Sequence, residues 1–292
     1  MKENITIEMQ LFKKINNFYL SILDYYLFKR YEKYKLIFSQ NYFNTALIIG
    51  SGPSLTSFNF DKIDIKQFEI YVVNGFSKTD LYQQLKPKNY CILDPIYFDL
   101  NDNRVLQGEV DVLETWQNIF SKTNWDIIIY VSLLDIKKIE FIKSKFPINY
   151  HITFVNLFPV RFSSINRFNY YSKGIGFVGG NTVVQLAVNI SLLKRTKNTY
   201  LIGVDHNWFE NFIYDHDSND IFLLNKHFYG EKRIYYPSGE LNSLYDLSGE
   251  FNSLHNSFEQ FKELHFLAKY LNLKLFRSTK SFLHFLPFSK ID

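Results

Sequence analysis

In the amino-terminal segment the apolar positions recur every three or four places: Leu11, Ile15, Phe18, Tyr19, Ile22, Leu23, Tyr26 and Leu27, with Lys and Arg filling gaps between them. That spacing lines them along one side of a helix, so the stretch from about Ile7 to Phe43 is expected to form one or two helices. From Thr45 the period changes. Short β-rich runs follow at Ala46–Ile49, Glu69–Val73, Tyr90–Leu93, Asp126–Ser132, Ile152–Leu157 and Thr199–Ile202, separated by intervals long enough for helices. The alternation predicts an α/β fold, a single Rossmann-like nucleotide-binding domain whose mostly parallel sheet carries helices on both faces. A helix is expected from about Thr182 to Leu193, with Asn181 as its N-cap after two glycines. Another over about Ser253–Leu271 and a last strand at Leu273–Phe276 close the domain. Between Asp205 and Leu254 the chain is rich in Asn, Asp, Gly, Ser, Tyr and His and nearly aperiodic, the mark of a long functional excursion. The expected organisation is a helical prefix over residues 1–44 and one domain over 45–292, with a lid at about 206–254.

With 46% apolar and 21% charged residues, the 292-residue chain can bury a large core and does not read as disordered. The longest apolar runs, such as Ala46–Ile49 and Ile127–Val131, are too short to cross a bilayer, and Met1-Lys2-Glu3-Asn4 lacks a signal-peptide pattern, so the expected location is the cytoplasm. Lys29, Arg30, Lys33 and Lys35 stand beside Tyr26, Phe28, Tyr31 and Tyr34, which leaves open a peripheral contact with a partner or with the inner face of the membrane. A helix packed on the main domain is the preferred reading. The net charge of +4 is mild and its basic residues are spread out, so no nucleic-acid partner is expected. The single cysteine, Cys91, excludes an internal disulfide, and no Cys/His cluster has zinc-like spacing. Aromatic residues make up 18% of the chain, and most are expected to serve the core.

Gly50-Ser51-Gly52-Pro53-Ser54-Leu55 follows the apolar run Ala46–Ile49 directly. Glycines at a strand's carboxyl end let the backbone approach a ligand, and a helix start beyond them offers N–H groups to an anion. This is not a dinucleotide fingerprint: Leu55 stands where the third Gly or Ala belongs, Pro53 removes a donor, and the second strand ends at Asn74 rather than an acidic residue. Without a Lys after the glycines it is no P-loop either. Three other strands end similarly, in Asn74-Gly75, Asp94-Pro95 and Gly203-Val204-Asp205-His206. In an open α/β sheet such ends share one rim, where ligands bind.

The order Gly-x-Gly-Pro-Ser, Asn after the second strand, a small-residue turn before a long helix, Gly-x-Asp, and a His before the last helix resembles glycosyltransferase family 42, the bacterial sialyltransferases. It is also similar to the motility-accessory-factor family, often described as pterin-pyrophosphokinase-like. The resemblance runs from about Thr45 to Leu283. It implies that Gly50, Ser51, Gly52, Pro53 and Ser54 form the first nucleotide-binding turn, with Ser51 in place of the family's Asn, and that Asn74 reads the nucleotide. Asp94 falls where the family often has Asn, and Gly179, Gly180, Asn181 and Thr182 match the family's turn in place but not in letters. Asp205 corresponds to an acceptor-side or lid-anchoring Asp, and His255 to the catalytic base that takes the acceptor's proton. Tyrosines of the lid would neutralise the leaving phosphate in place of a metal. The candidates are Tyr214, Tyr229, Tyr235 and Tyr236, with Trp208 at the place of the family's first Tyr and His206 or His227 as substitutes. The implied donor is a CMP-activated acidic sugar, the acceptor a glycan or glycolipid, with no metal or other cofactor; an oligomer stays open. Asp215-His216-Asp217 spells the Asp-x-Asp of metal-dependent glycosyltransferases but lies about ten residues past the strand end. A phosphotransferase and a non-catalytic nucleotide-sugar-binding protein are the alternatives.

Overall fold

The computed structural model describes residues 2–36, 38, 43–102, 112–132, 136–158, 160–217, 220–227, 230–236, 247–278 and 281–287, with side chains from Lys14 onward except at 136, 225, 227, 230–232 and 234–236. Seven strands form one sheet: β1 (Thr45–Ile49), β2 (Phe68–Val73), β3 (Asn89–Ile92), β4 (Ile127–Val131), β5 (Ile152–Asn156), β6 (Asn198–Ile202) and β10 (Lys274–Arg277). Every pairing is parallel, and the order across the sheet is β10-β6-β1-β2-β3-β4-β5. From β1 the chain winds outward through β2 to β5, then returns to place β6 on the other side of β1. The order therefore reverses between β1 and β6, and their carboxyl ends open a crevice of the kind where ligands bind.

Strands buried on both faces read as continuous apolar runs, as β1, β2 and β4 do, while the edge strands β5 and β10 are half-buried. Successive side chains alternate between two cores. Ala46, Ile48, Tyr71, Val73, Cys91 and Tyr130 face helices α5 (Arg167–Ser172), α6 (Val183–Leu193) and α7 (Leu247–Tyr270). Leu47, Ile49, Val72, Ile92, Ile129 and Val131 face α2 (Asp80–Leu85), α3 (Val112–Lys122) and α4 (Ile136–Lys145), with Trp116 at the centre. Helix α6 is apolar almost all round because it is buried almost all round.

The prefix is one helix, α1 (Lys2–Tyr31), followed by a 3-10 turn at Glu32–Tyr34, and it packs on the first core through Leu27, Phe28 and Tyr31. Two expectations need correction. The segment after β6 is not irregular but contains a three-stranded antiparallel sheet, β7 (Phe212–Asp215), β8 (Asp220–His227) and β9 (Gly230–Tyr236). Helix α7 starts at Leu247 rather than near Ser253, so His255 lies two turns inside it.

Candidate functional site: a cleft at the β1–β6 crossover

The turns after β1 and β6 are fastened to each other. Gly50 N–H donates to Ile202 O and Gly52 N–H to Gly203 O, both at 2.8 Å. Beyond them, Asp205 accepts from the Ser54 N–H at 2.8 Å and from the Ser54 hydroxyl. Asp205 is buried and both its oxygens serve Ser54, so its carboxylate holds the two turns together and is not available to a reacting group. The glycines are explained by the same contact: a Cβ on Gly50 would run into the carbonyl oxygen of Gly203, and one on Gly52 would meet Asp205 Oδ2 at 2.7 Å. The expectation that Gly52 is small in order to admit a ligand is thus corrected. Its missing side chain makes room for Asp205, while the peptides of Ser51–Pro53 border the cleft.

That cleft holds about 770 Å³ and gathers the strand ends: Ser51, Gly52 and Pro53 after β1, Asn74 after β2, Asp94 after β3, and Gly203 to His206 after β6. Gly180, Asn181 and Thr182 line it at the start of α6. Asn74 has a left-handed backbone (φ 43°), its carbonyl accepts the Tyr90 hydroxyl, and its amide Oδ1 is buried without a partner among the described residues. His206 is also left-handed (φ 52°) and buried, and its Nε2 likewise lacks a partner. Its ring lies between Trp208 and Phe261, 4.9 and 4.6 Å away. Burial pushes the imidazole down to about 3, so His206 is neutral at physiological pH and offers hydrogen bonds rather than charge. Strained residues bearing orphaned polar atoms are a recognised mark of ligand sites. Asp94 caps the turn after β3 by accepting from Ile96 N–H at 3.0 Å and is otherwise exposed.

The opposite wall is built from α6 and α7. Thr182, not Asn181, is the N-cap of α6, and Gln185 reaches back to accept from the N–H groups of Gly180, Asn181 and Thr182 at 3.1, 3.2 and 3.3 Å. Gly179 (φ 94°) leaves space for that side chain, since a Cβ there would lie 2.8 Å from Gln185 Oε1. Gln260 of α7 joins in: its Oε1 accepts from Asn181 N–H at 3.2 Å and its amide donates to Asn181 Oδ1 at 2.8 Å. The turn is thereby set as a rigid bracket at the mouth of an 11-residue helix, whose N-terminal dipole faces the cleft.

Several expected residues are not brought to this cleft. His255 is exposed. Each helical residue advances about 100°, so His255 projects away from Glu250, Ser253, Ser257 and Gln260, the α7 residues that face the cleft or its bracket. Tyr214 lies on β7 with its ring 4.7 Å from His216, and it does not line the cleft. Tyr229 falls outside the described residues, as do the side chains of Tyr235, Tyr236 and His227. Asp215 Oδ1 accepts from Asp217 N–H at 3.0 Å, so the Asp-x-Asp forms its own turn at the β7–β8 end, and neither acid lines the cleft. Conversely, Trp208, Lys226 and Glu250 do line it. Lys226 is the one Lys or Arg among the described residues lining the cleft, and sequence reasoning missed it. Only the apolar run Ile221–Leu224 just before it, read as a strand, could have signalled that Lys226 borders a sheet placed over the site.

A parallel sheet with a polar cleft at its switch point, a helix N-terminus on one wall and left-handed residues at the strand ends define a Rossmann-like α/β domain, the class whose ligands bind at that crevice. No family model matches the chain, and no curated protein matches it. Among solved structures it is similar to the monofunctional alpha-2,3-sialyltransferase Cst-I from Campylobacter jejuni, at 16% identity, 88% of this chain, 84% of that one and a TM-score of 0.43. The sialyltransferase CstII of the same organism, solved with cytidine-5'-monophosphate, is 14% identical over 85% of each chain with a TM-score of 0.42. MAf glycosyltransferase from Magnetospirillum magneticum AMB-1 is 14% identical over 88% of this chain and 35% of that one, with a TM-score of 0.48. These are the kinds of protein that the strand-end motifs resemble. Identities of 14–16% and TM-scores below 0.5 leave activity to the chemistry of the site itself.

Proposed function

We propose that the protein is a glycosyltransferase that moves an acidic, sialic-acid-like sugar from a CMP-activated donor to a hydroxyl of a glycan or glycolipid, with inversion, without a metal ion, in surface-glycan biosynthesis. The observation that supports it best is that Asn74 and His206, two left-handed residues each carrying a buried polar atom without a partner among the described residues, both line one cleft. In this reading a cytosine edge and ribose satisfy the Asn74 amide and the peptides of Ser51–Pro53, while His206 hydrogen-bonds the donor as a neutral ring. The phosphate lies between the N-terminus of α6 and Lys226, which together stabilise the charge that builds on CMP as it leaves. Lys226 takes the task that the resemblance gave to lid tyrosines. The acceptor oxygen attacks the anomeric carbon from the face opposite the phosphate; its proton passes to a carboxylate of the cleft, Asp94 or Glu250, because Asp205 is committed to Ser54 and His255 faces away. The sheet β7–β9 serves as the lid that excludes water from the activated sugar.

The test is ligand-dependent melting. CMP in the presence of a chelator should raise Tm, whereas UDP, GDP and ATP, with or without magnesium or manganese, should not. Asn74→Gly, which keeps a left-handed backbone while deleting the amide, should weaken CMP about tenfold with little change in the unliganded Tm. Stabilisation by UDP or GDP with manganese alone would refute the donor class, and stabilisation by ATP with magnesium alone would move the protein to phosphoryl transfer.

A further inference from the structure

We infer that helix α1 docks the protein on an anionic membrane surface. The helix is held to the domain by one face only. Its Asp24 is buried and accepts from the Ser163 and Ser164 N–H groups at 3.0 and 2.7 Å, and Phe28 meets Tyr170 at 5.0 Å. With Leu27 and Tyr31 these residues form its packed side. At about 100° per residue, Ile15, Phe18, Tyr19, Ile22, Tyr25 and Tyr26 fall together on the opposite side. Phe18 is 70% exposed, Tyr26 66% and Ile15 60%, so this is a continuous apolar and aromatic stripe with nothing of this chain's described residues upon it.

The charges around the stripe choose the occupant. Lys14, Lys29, Arg30, Lys33 and Lys35 surround it; Glu32 is the acidic side chain on the same stretch and pairs with Lys29 at 3.4 Å, while Asp24 is consumed in the interior. Phe and Tyr with a collar of Lys and Arg are the composition that settles at the headgroup level of a bilayer containing acidic lipids. A second copy of this helix would set one collar of cations against another. No helix among the described residues is long and apolar enough to cross a membrane, so α1 lies on the surface rather than through it. The inference is independent of the proposed glycosyl transfer.

Flotation of the full chain with vesicles of phosphatidylcholine, with and without phosphatidylglycerol, tests it. The protein should float with the acidic vesicles, less so in high salt, and remain behind with the neutral ones. Phe18→Glu with Ile22→Glu should cut binding about tenfold or more without altering Tm, and each of Lys29→Gln and Arg30→Gln should cut it about fivefold. Ile148→Glu with Tyr150→Glu, exposed elsewhere on the molecule, should bind as the parent does. Failure to float with acidic vesicles, undiminished flotation of the Phe18/Ile22 variant, or equal loss in the Ile148/Tyr150 control would overturn the inference. So would a dimer in light scattering that the Phe18/Ile22 variant converts to monomer, which would make the stripe a self-interface.

Discussion

His255 and Lys226 exchange expectations once their positions are known. The resemblance to family 42 assigns the base to His255 by its distance from the last strand, yet the face of α7 that carries Glu250, Ser253, Ser257 and Gln260 leaves that ring on the opposite side, in solvent. Lys226 carries no motif and still lines the cleft beside Leu223. His255→Ala should therefore leave transfer and CMP affinity within about twofold of the parent, while Lys226→Gln should slow transfer about a hundredfold, the usual cost of removing a donor aimed at developing charge. Both variants are measured in one transfer assay with a CMP-activated acidic sugar. The reverse order of damage would restore His255 and displace Lys226. The two residues illustrate a general limit: spacing in a sequence fixes how far along the chain a residue lies, whereas which side of a helix it occupies depends on its angle, about 100° per residue, from the residues that the helix turns to the cleft.

Among elements, the parallel strands are legible from their apolar runs because the inner ones are buried on both faces, so that little dilutes the signal, and the half-buried edge strands β5 and β10 keep enough of it: all seven expected runs correspond to observed strands within a residue or so at the ends. The convergence of the β1, β2, β3 and β6 ends on one rim is legible for the same reason. The antiparallel sheet is not. Ile221–Leu224 is its one clear apolar run, and β9 (Gly-Glu-Lys-Arg-Ile-Tyr-Tyr) looks polar because its first half carries a glycine and three charged residues. The bracket at Gly179–Thr182 was half-legible: Thr182-Val183-Val184-Gln185 spells a capping box, which places the cap at Thr182 rather than Asn181. What no spacing could reveal is that the same Gln185 amide also donates to Ser257 O at 3.0 Å, tying α6 to α7. Gln185→Ala should strip the Gly180 and Thr182 N–H groups of their acceptor, while Asn181 keeps Gln260, and cost roughly 2 kcal/mol in urea unfolding, with weaker CMP binding from the loosened bracket. A cost below about 1 kcal/mol would mean that water replaces the side chain without penalty.

At the scale of the whole molecule, the end of the sheet remote from the cleft has its own fastening. Lys194, just past α6, reaches Glu69 at 2.7 Å and Asn89 at 2.8 Å, and the Tyr71 hydroxyl donates to Glu69 at 3.0 Å, all of it largely buried. Lys194→Met would remove the cation that faces the buried Glu69 carboxylate and should cost about 3–5 kcal/mol, most of it recovered by adding Glu69→Gln. CMP affinity should be unchanged in both, since this cluster sits at the amino ends of β2 and β3; a parallel loss of affinity would show that the two ends of the sheet are coupled. The cleft end is built with less freedom. Gly50 and Gly203 face each other through backbone alone: a Cβ on Gly203 would lie 2.9 Å from Gly50 O, and its φ of 60° resists any side chain. Val204 and Leu55 also crowd these two positions, but the nearest obstacle to a Cβ on either glycine is the carbonyl oxygen of the other, which no change of side chain removes, so no second substitution can rescue the first. As descendants of this chain diverge, helices and surfaces are free to drift by compensation, but this pair can only persist or be lost together with the cleft.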